Sequence, residues 1–132
     1  MADYRETVDY ILGIPLFAQK IGKENLSSLL CRLGNPEKAV PAIHVAGTNG
    51  KGSTCRALAQ MLAAQGYRVG LFISPHLVSI NERIQINGTN ISDDDFVSAF
   101  ETVKGQFMEH PSFFEVMFAM AAVYFRQQKC DF

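Results

Sequence analysis

Apolar positions in the first 40 residues follow a helical period. They form two apolar faces, the first made by Tyr4, Val8, Ile11 and Leu12 and the second by Leu26, Leu29, Leu30 and Leu33. A glycine and a proline follow each face, in Gly13-Ile14-Pro15 and in Gly34-Asn35-Pro36, and such residues end helices. We therefore expect a helical lead-in over about residues 1–40, with the second helix starting near Glu24.

The period then changes to that of strands. Ala42–Ala46 is a short continuous apolar run, which predicts a strand buried on both faces, with His44 as an ordinary strand residue. A glycine-rich loop follows it, and then a helical stripe that starts near Ala57 and ends at Gly66. Arg68–Ile73 is the next predicted strand, and the helical crossover between the two strands predicts that they are parallel.

The rest of the chain predicts a hairpin and two helices. Glu82–Ile91 alternates around Asn87-Gly88, which is typical of a small hairpin at a sheet edge. Ser92 with Asp95, and Ser112 with Glu115, have the spacing of capping boxes at helix starts. The apolar stripes of these two helices are predicted to pack in the core, the first with Phe96, Val97, Phe100, Val103 and Phe107 and the second with Phe114, Val116, Met117, Met120, Val123 and Tyr124. A further strand is expected from about Cys130–Phe132. The pattern over about 42–132 thus predicts an α/β fold, with a mainly parallel sheet flanked by helices and a small hairpin excursion.

Composition and charge narrow the possible functions. The 132 residues, 48% hydrophobic and 19% charged, predict one packed domain. Twelve basic residues against 13 acidic ones give no broad positive field, so neither nucleic acid nor an anionic membrane is an expected partner. No apolar run reaches the ~20 residues of a membrane span. Three separated cysteines predict reduced thiols and a cytoplasmic location.

The glycine-rich loop carries the candidate chemistry. It comprises Gly47, Thr48, Asn49, Gly50, Lys51, Gly52, Ser53 and Thr54. Glycines allow successive backbone N–H groups to surround an oxyanion, and the following helix start adds partial positive charge. Lys51 can meet terminal phosphates, and the hydroxyl of Ser53 or Thr54 can face Mg²⁺. The general phosphate-loop pattern is not fully matched, since Val45 replaces its first glycine and Gly52 follows the lysine. A glycine-rich turn capped by Ser53 is the alternative.

Five segments together resemble one enzyme family. Ile43–Ser53 looks like the phosphate loop of the folylpolyglutamate synthases, a branch of the Mur ligase superfamily that is sometimes bifunctional with dihydrofolate synthase. The other segments are Leu33–Pro36, Gly70–Leu77, Asn81–Ile84 and Phe113–Glu115, in the order of the family. The match spans most of the chain, and Gly52 after the lysine distinguishes this branch.

The resemblance implies a truncated Mur-ligase-like, ATP-binding domain. Residues 1–132 would be the amino-terminal part of a larger two-domain ligase, a monomer that is inactive without the remainder. ATP with Mg²⁺ would phosphorylate a carboxylate of reduced folate or dihydropteroate, and the amino group of L-glutamate would attack the acyl phosphate. Phosphoryl transfer needs mainly positioning and charge neutralisation, so no side-chain nucleophile is expected.

The resemblance also assigns roles to individual residues. Gly50, Lys51, Gly52 and Ser53 match ATP-phosphate contacts, and Ser74 matches a magnesium ligand. Two segments match substrate contacts, the first being Lys20, Ile21, Gly22 and Lys23, and the second Ser112, Phe113, Phe114 and Glu115. His76 is a further candidate contact.

Some of these residues have simpler alternatives. Ser74 can be a turn hydroxyl, and Glu115 can simply cap its helix. Glu82 and Arg83 can orient substrate or form an ion pair at the sheet edge. Asp93-Asp94-Asp95 is read as a helix start that favours acidic residues.

Three other functions remain open at this stage. One is a Mur-type ligase that adds amino acids to a cell-wall precursor, although that branch usually has Thr or Ser after the loop lysine. Another is a nucleotide-binding module that ligates nothing, and the absence of Asn-Lys-x-Asp argues against a GTPase. The last is an interaction domain with a vestigial loop.

Overall fold

The computed structural model describes residues 3–14, 24–45, 50–76, 78–107 and 111–132, without the side chains of Glu24 and Lys51. Its helices are α1 (Tyr4–Leu12), α2 (Glu24–Arg32), α3 (Lys51–Ala64), α4 (Asp93–Lys104) and α5 (Phe113–Gln127). Two 3₁₀ turns cover Pro36–Lys38 and Ile80–Arg83, and the strands are β1 (Gly70–Phe72), β2 (Ile84–Ile86) and β3 (Thr89–Asn90).

Local sequence signals set the helix ends. Ser92 caps α4 by accepting a hydrogen bond from the backbone of Asp95. At the start of α5, Ser112 and Glu115 form the full reciprocal capping box. These bonds satisfy N–H groups that have no acceptor within the helix. The second helix ends as predicted, with Gly34 and the following asparagine in positive-φ conformations.

The strands of the described residues form an antiparallel sheet in the order β1-β2-β3. Leu71 pairs with Gln85, and β2 turns into β3 through Asn87 and Gly88, both at positive φ. This is the predicted hairpin. The mainly parallel sheet predicted for the core is not what these strands form, because the pairing partner of β1 here is the hairpin rather than a strand across a helix.

The last residues run beside the other edge of β1. The carbonyl of Arg68 accepts hydrogen bonds from the N–H groups of Asp131, at 2.7 Å, and Phe132, at 3.5 Å. The N–H of Gly70 donates to the carbonyl of Phe132 at 2.9 Å. Residue numbers rise together on the two segments, which is the direction of a parallel pair. A short parallel contact therefore exists at this edge, where the sequence predicts a further strand.

The strand predicted over Ala42–Ala46 is not formed by the described residues of this segment. Residues 42–45 carry no strand, and the side chains of Ile43 and His44 are exposed, so His44 is not a buried strand residue. A strand is defined by hydrogen bonds to a neighbouring strand. A cavity lies between these residues and β1, so they do not pair with it. Ala46 lies outside the described residues.

The core lies between α1, α2, α4, α5 and the hairpin. Its fully buried side chains include Ile11, Phe96, Phe100, Val103, Val116, Met117, Met120 and Val123, as the helical stripes predict. Two members of those stripes are exposed instead, Leu12 and Phe114. Phe114 packs its ring against Phe118 and Phe72 at the cavity wall, which is a face of α5 that the core does not cover.

Candidate functional site

The glycine-rich loop ends directly at a helix. Gly50 caps α3 in the left-handed conformation, with φ of 72°, and the helix begins at Lys51. The first bond of the helix joins the N–H of Thr54 to the carbonyl of Gly50 at 2.9 Å. The N–H groups of residues 51–53 therefore precede the helical ladder, and a helix start of this kind favours an anion.

Two hydroxyl side chains lie in the first turn of this helix. Ser53 and Thr54 are exposed, and Gly52 is half-buried with room around it. Oxygen donors of this kind suit Mg²⁺ in a nucleotide site, where phosphates and water supply the other ligands. Gly47, Thr48, Asn49 and the side chain of Lys51 lie outside the described residues, so these predicted contacts stay predictions.

Ser74 lies two residues after the end of β1. It is exposed, and it follows buried Ile73, whose N–H donates to the carbonyl of Arg83 at 3.0 Å. Ser74 and Gly52 line one cavity of about 530 Å³ between α3, β1 and α5. The structure thus brings the helix start and the predicted magnesium serine to the same cavity.

The interior of this cavity is apolar. Its walls come from the 40–45 segment, α3, β1 and α5, and include Val45, Leu58, Leu62, Leu71, Phe118, Ala122 and Phe125. These side chains are unsuited to a triphosphate, because they offer it neither hydrogen bonds nor positive charge. Candidate ATP contacts are therefore confined to the rim near Gly52 and Ser74, and the interior has the character of a core surface.

His76 is held by an arginine that the sequence did not connect to it. The Nε of Arg83 donates a hydrogen bond to Nδ1 of His76 at 2.8 Å. The guanidinium carbon of Arg83 lies 4.9 Å from the ring centroid of Phe113, at the start of α5. Asn81-Glu82-Arg83-Ile84 stands out in the sequence, but nothing in its spacing indicates this contact.

The electrostatics of His76 follow from this arrangement. Burial lowers the pKa of His76 below 6.5, the positive charge of Arg83 lowers the pKa further, and Glu82 opposes the shift. Burial also lowers the pKa of Arg83. Because Nδ1 accepts a hydrogen bond, the neutral ring of His76 carries its proton on Nε2.

The neighbouring glutamate holds the other end of the same loop. Oε2 of Glu82 accepts hydrogen bonds from the N–H groups of Val78, at 3.0 Å, and Ser79, at 2.8 Å. The side chain of Ser79 in turn caps the start of the 3₁₀ turn, so Ser79 and Glu82 form a reciprocal capping box. Glu82 and Arg83 together fix the loop that follows Ser74.

The second predicted substrate segment is divided between the core and the surface. Glu115 is only 6% exposed, and its Oε1 accepts a hydrogen bond from the N–H of Ser112 at 2.8 Å. Phe113 is buried beneath Arg83, whereas Phe114 is 52% exposed at the cavity. The capping role of Glu115 is confirmed, and its contact with substrate stays a prediction. The first segment, Lys20–Lys23, lies outside the described residues.

Within the described ranges, no cluster of three or more His, Cys, Asp or Glu side chains could hold an ion. Asp93 instead accepts a hydrogen bond from the buried amide of Asn81 at 3.0 Å, in agreement with a structural role. The three cysteines are unpaired, and burial raises the pKa of Cys130. Of the helices in the described residues, none combines the length and apolar character needed to span a bilayer.

Nearly the whole chain is similar to part of several known proteins. No family model matches it. A dihydrofolate synthase/folylpolyglutamate synthase of Bacillus subtilis is 40% identical over 137 aligned positions, which cover 98% of this chain and 32% of the relative. The solved folylpolyglutamate synthetase of Lactobacillus casei is 38% identical, with a TM-score of 0.92 over 98% of this chain and 35% of that one.

A third comparison concerns a structure with ligands. A solved complex of folylpolyglutamate synthase with AMPPCP and folate has 38% identity and a TM-score of 0.92, and it covers 98% of this chain and 34% of its own. The chain therefore spans about a third of the length of these relatives. With the loop, Ser74 and the matched segments in the family's order, the chain belongs to the folylpolyglutamate synthase/dihydrofolate synthase family of the Mur ligase superfamily.

Proposed function

We propose that this chain is the amino-terminal part of an ATP-dependent ligase that adds L-glutamate to reduced folate or to dihydropteroate. The γ-phosphoryl group passes from ATP to the substrate carboxylate, which gives ADP and an acyl phosphate. The amino group of glutamate then attacks the acyl carbon, and phosphate leaves as the amide forms. The observation that carries the proposal is the shared cavity rim of Gly52 and Ser74, in a chain with this family membership.

The residues of the rim divide the work of phosphoryl transfer. The N–H groups at the start of α3 and the Lys51 ammonium hold the phosphates. The Ser74 hydroxyl, with Ser53 or Thr54, holds Mg²⁺, which supplies charge neutralisation when it is bound. Little else is required of the protein, because this reaction depends on positioning and electrostatic stabilisation.

The proposal extends to the architecture. We place a parallel strand in the apolar cavity, between the 41–45 segment and β1, since the walls of the cavity resemble a core and the end of the chain already pairs with β1 in parallel. The 41–45 segment then becomes the strand before the loop. The phosphate loop and Ser74 lie at the carboxyl ends of such strands, where ligands bind in open α/β sheets. The enzyme is a cytoplasmic monomer in this proposal.

The test measures ADP and product formation by the whole ligase. Tetrahydrofolate, L-glutamate and Mg-ATP are supplied together, and each is then omitted in turn. We expect ADP release and glutamylated folate only with the complete mixture. ADP release that is independent of folate and glutamate would instead identify a nucleotide-binding module, and product from a cell-wall precursor would identify the other ligase branch.

A lysine pair tests the loop within the same assay. Lys51→Ala should lower kcat by about 10²–10³-fold, because it removes a positive charge that meets the transferring phosphates. Lys38→Ala is the matched control, since Lys38 is exposed on a 3₁₀ turn before the loop. Equal activities of the two variants would contradict the assignment of the loop.

A further inference from the structure

The proposed phosphate loop does not involve the segment Asn81-Glu82-Arg83-Ile84, and packing in the core does not explain every residue of it. Asn81 is a buried structural residue, because its amide donates to the carbonyl of Ile91 at 2.8 Å. Arg83 is different, since its side chain leaves the hairpin and reaches the loop after β1. Its function is therefore not explained by the hairpin.

Arg83 makes three contacts, of which two are with the segment around Ser74 and one is with the start of α5. Its backbone carbonyl accepts the N–H of Ile73, the residue before Ser74. Its Nε donates to Nδ1 of His76, the second residue after Ser74. Its guanidinium lies over the ring of Phe113 at 4.9 Å. Arg83 thus forms hydrogen bonds to the chain on both sides of Ser74, and its guanidinium packs on the start of α5.

The geometry gives His76 a defined chemical state. A hydrogen bond accepted at Nδ1 fixes the ring orientation and leaves the Nε2–H as the donor. Such a donor suits an oxyanion, either a phosphate oxygen or a carboxylate oxygen. A lysine at position 83 would keep the positive charge, but it lacks the planar guanidinium that stacks and donates from Nε.

We propose that Arg83 is a positioning residue of the ligase site, which acts through His76 by presenting its Nε2–H to an oxyanion of the bound substrates beside Ser74. This role rests on the proposed function. Arg83 itself touches no substrate in this scheme. Glu82 fixes the far end of the same loop through Val78 and Ser79, so the loop is held at two points.

The experiment combines kinetics with the tautomer of His76 in the whole ligase. Arg83→Gln should lower kcat by about ten- to a hundredfold, since misplacement of a catalytic neighbour has effects of that size. Arg83→Lys should restore only a small part. In the same variants, ¹⁵N NMR should show Nδ1 of His76 unprotonated in the parent and a mixture of tautomers in Arg83→Gln.

Arg126→Gln is the matched control. Arg126 is a half-buried arginine whose Nη1 donates to the carbonyl of Leu33 at 3.0 Å, away from Ser74. It should lower stability without changing the tautomer of His76 or kcat by more than about twofold.

Two results would overturn the role of Arg83. One is an unchanged His76 tautomer in Arg83→Gln, and the other is a kcat of that variant equal to that of Arg126→Gln. A parent enzyme that makes no glutamylated folate would refute the proposed function, but the NMR comparison would still decide whether Arg83 sets the state of His76.

Discussion

Helices α3 and α4 differ in how completely the fold covers them. Five residues of α4 are buried, namely Phe96, Val97, Ala99, Phe100 and Val103. Among the described side chains of α3, none is buried, although the helix has 14 residues. Among the described helices, α3 is thus the one with the fewest buried side chains. Ligand sites often lie in regions of low local stability. The described part of the chain thus has a packed half around α4 and a cavity half around α3, and the proposed binding site lies in the cavity half.

The largest expected effect is on the packed half. Phe96→Ala should lower the free energy of unfolding by about 3–5 kcal/mol, because Phe96 is fully buried and its removal leaves a cavity. Phe114→Ala is the matched change on the cavity side, and it should cost less than about 1 kcal/mol since that ring is half-exposed. Urea denaturation of both variants measures the difference. Equal losses of stability in Phe96→Ala and Phe114→Ala would contradict the difference between the packed half and the cavity half.

A smaller effect is expected where the two halves meet. A Cβ at Gly70 would lie 2.6 Å from the ring of Phe125, so Gly70→Ala should cost about 1–3 kcal/mol through overpacking. Gly105→Ala is the control, because the nearest atom to a Cβ there, the carbonyl oxygen of Glu101, lies at 3.5 Å. Thermal or urea unfolding of both variants measures the two changes in stability. An unchanged stability of Gly70→Ala would show that β1 can move away from α5.

The helix caps should contribute less. Ser112→Ala removes the hydroxyl that accepts the N–H of Glu115 at 3.2 Å, and it should lower the free energy of unfolding by about 1 kcal/mol. Ser98→Ala, on the exposed face of α4, should change it by no more than about 0.5 kcal/mol. A loss at Ser98 as large as the loss at Ser112 would argue against the cap.

The smallest effect is electrostatic. NMR titration should place the pKa of His76 below 6.5, so the ring is neutral at pH 7 and gains its proton only at more acidic pH. Arg83→Gln should raise this pKa, because it removes the positive charge that opposes protonation. A pKa that stays the same or falls in Arg83→Gln would show that burial alone sets it.

Features that depend on neighbouring residues were predictable from the sequence. Asn87-Gly88 makes the hairpin turn, and the Ser112 box starts α5, because both signals act within four residues. The helical stripe of α4 predicts its buried face for the same reason.

Features that depend on distant contacts were not predictable in the same way. Whether Ala42–Val45 forms a strand depends on a neighbour to pair with, which the described residues do not provide. Phe114 continues an apolar stripe but faces the cavity, since no element of the described residues covers that side of α5. The bond from Arg83 to His76 depends on how the loop after β1 folds back, and residue spacing does not encode that.

The acyl-phosphate step is the central claim, and isotope transfer tests it most directly. The whole ligase is given folate labelled with ¹⁸O in its terminal carboxylate, together with glutamate and Mg-ATP. We predict that the inorganic phosphate released acquires one ¹⁸O atom for each amide formed, because the carboxylate oxygen leaves with the phosphoryl group. Unlabelled phosphate in the presence of glutamylated folate would contradict the account.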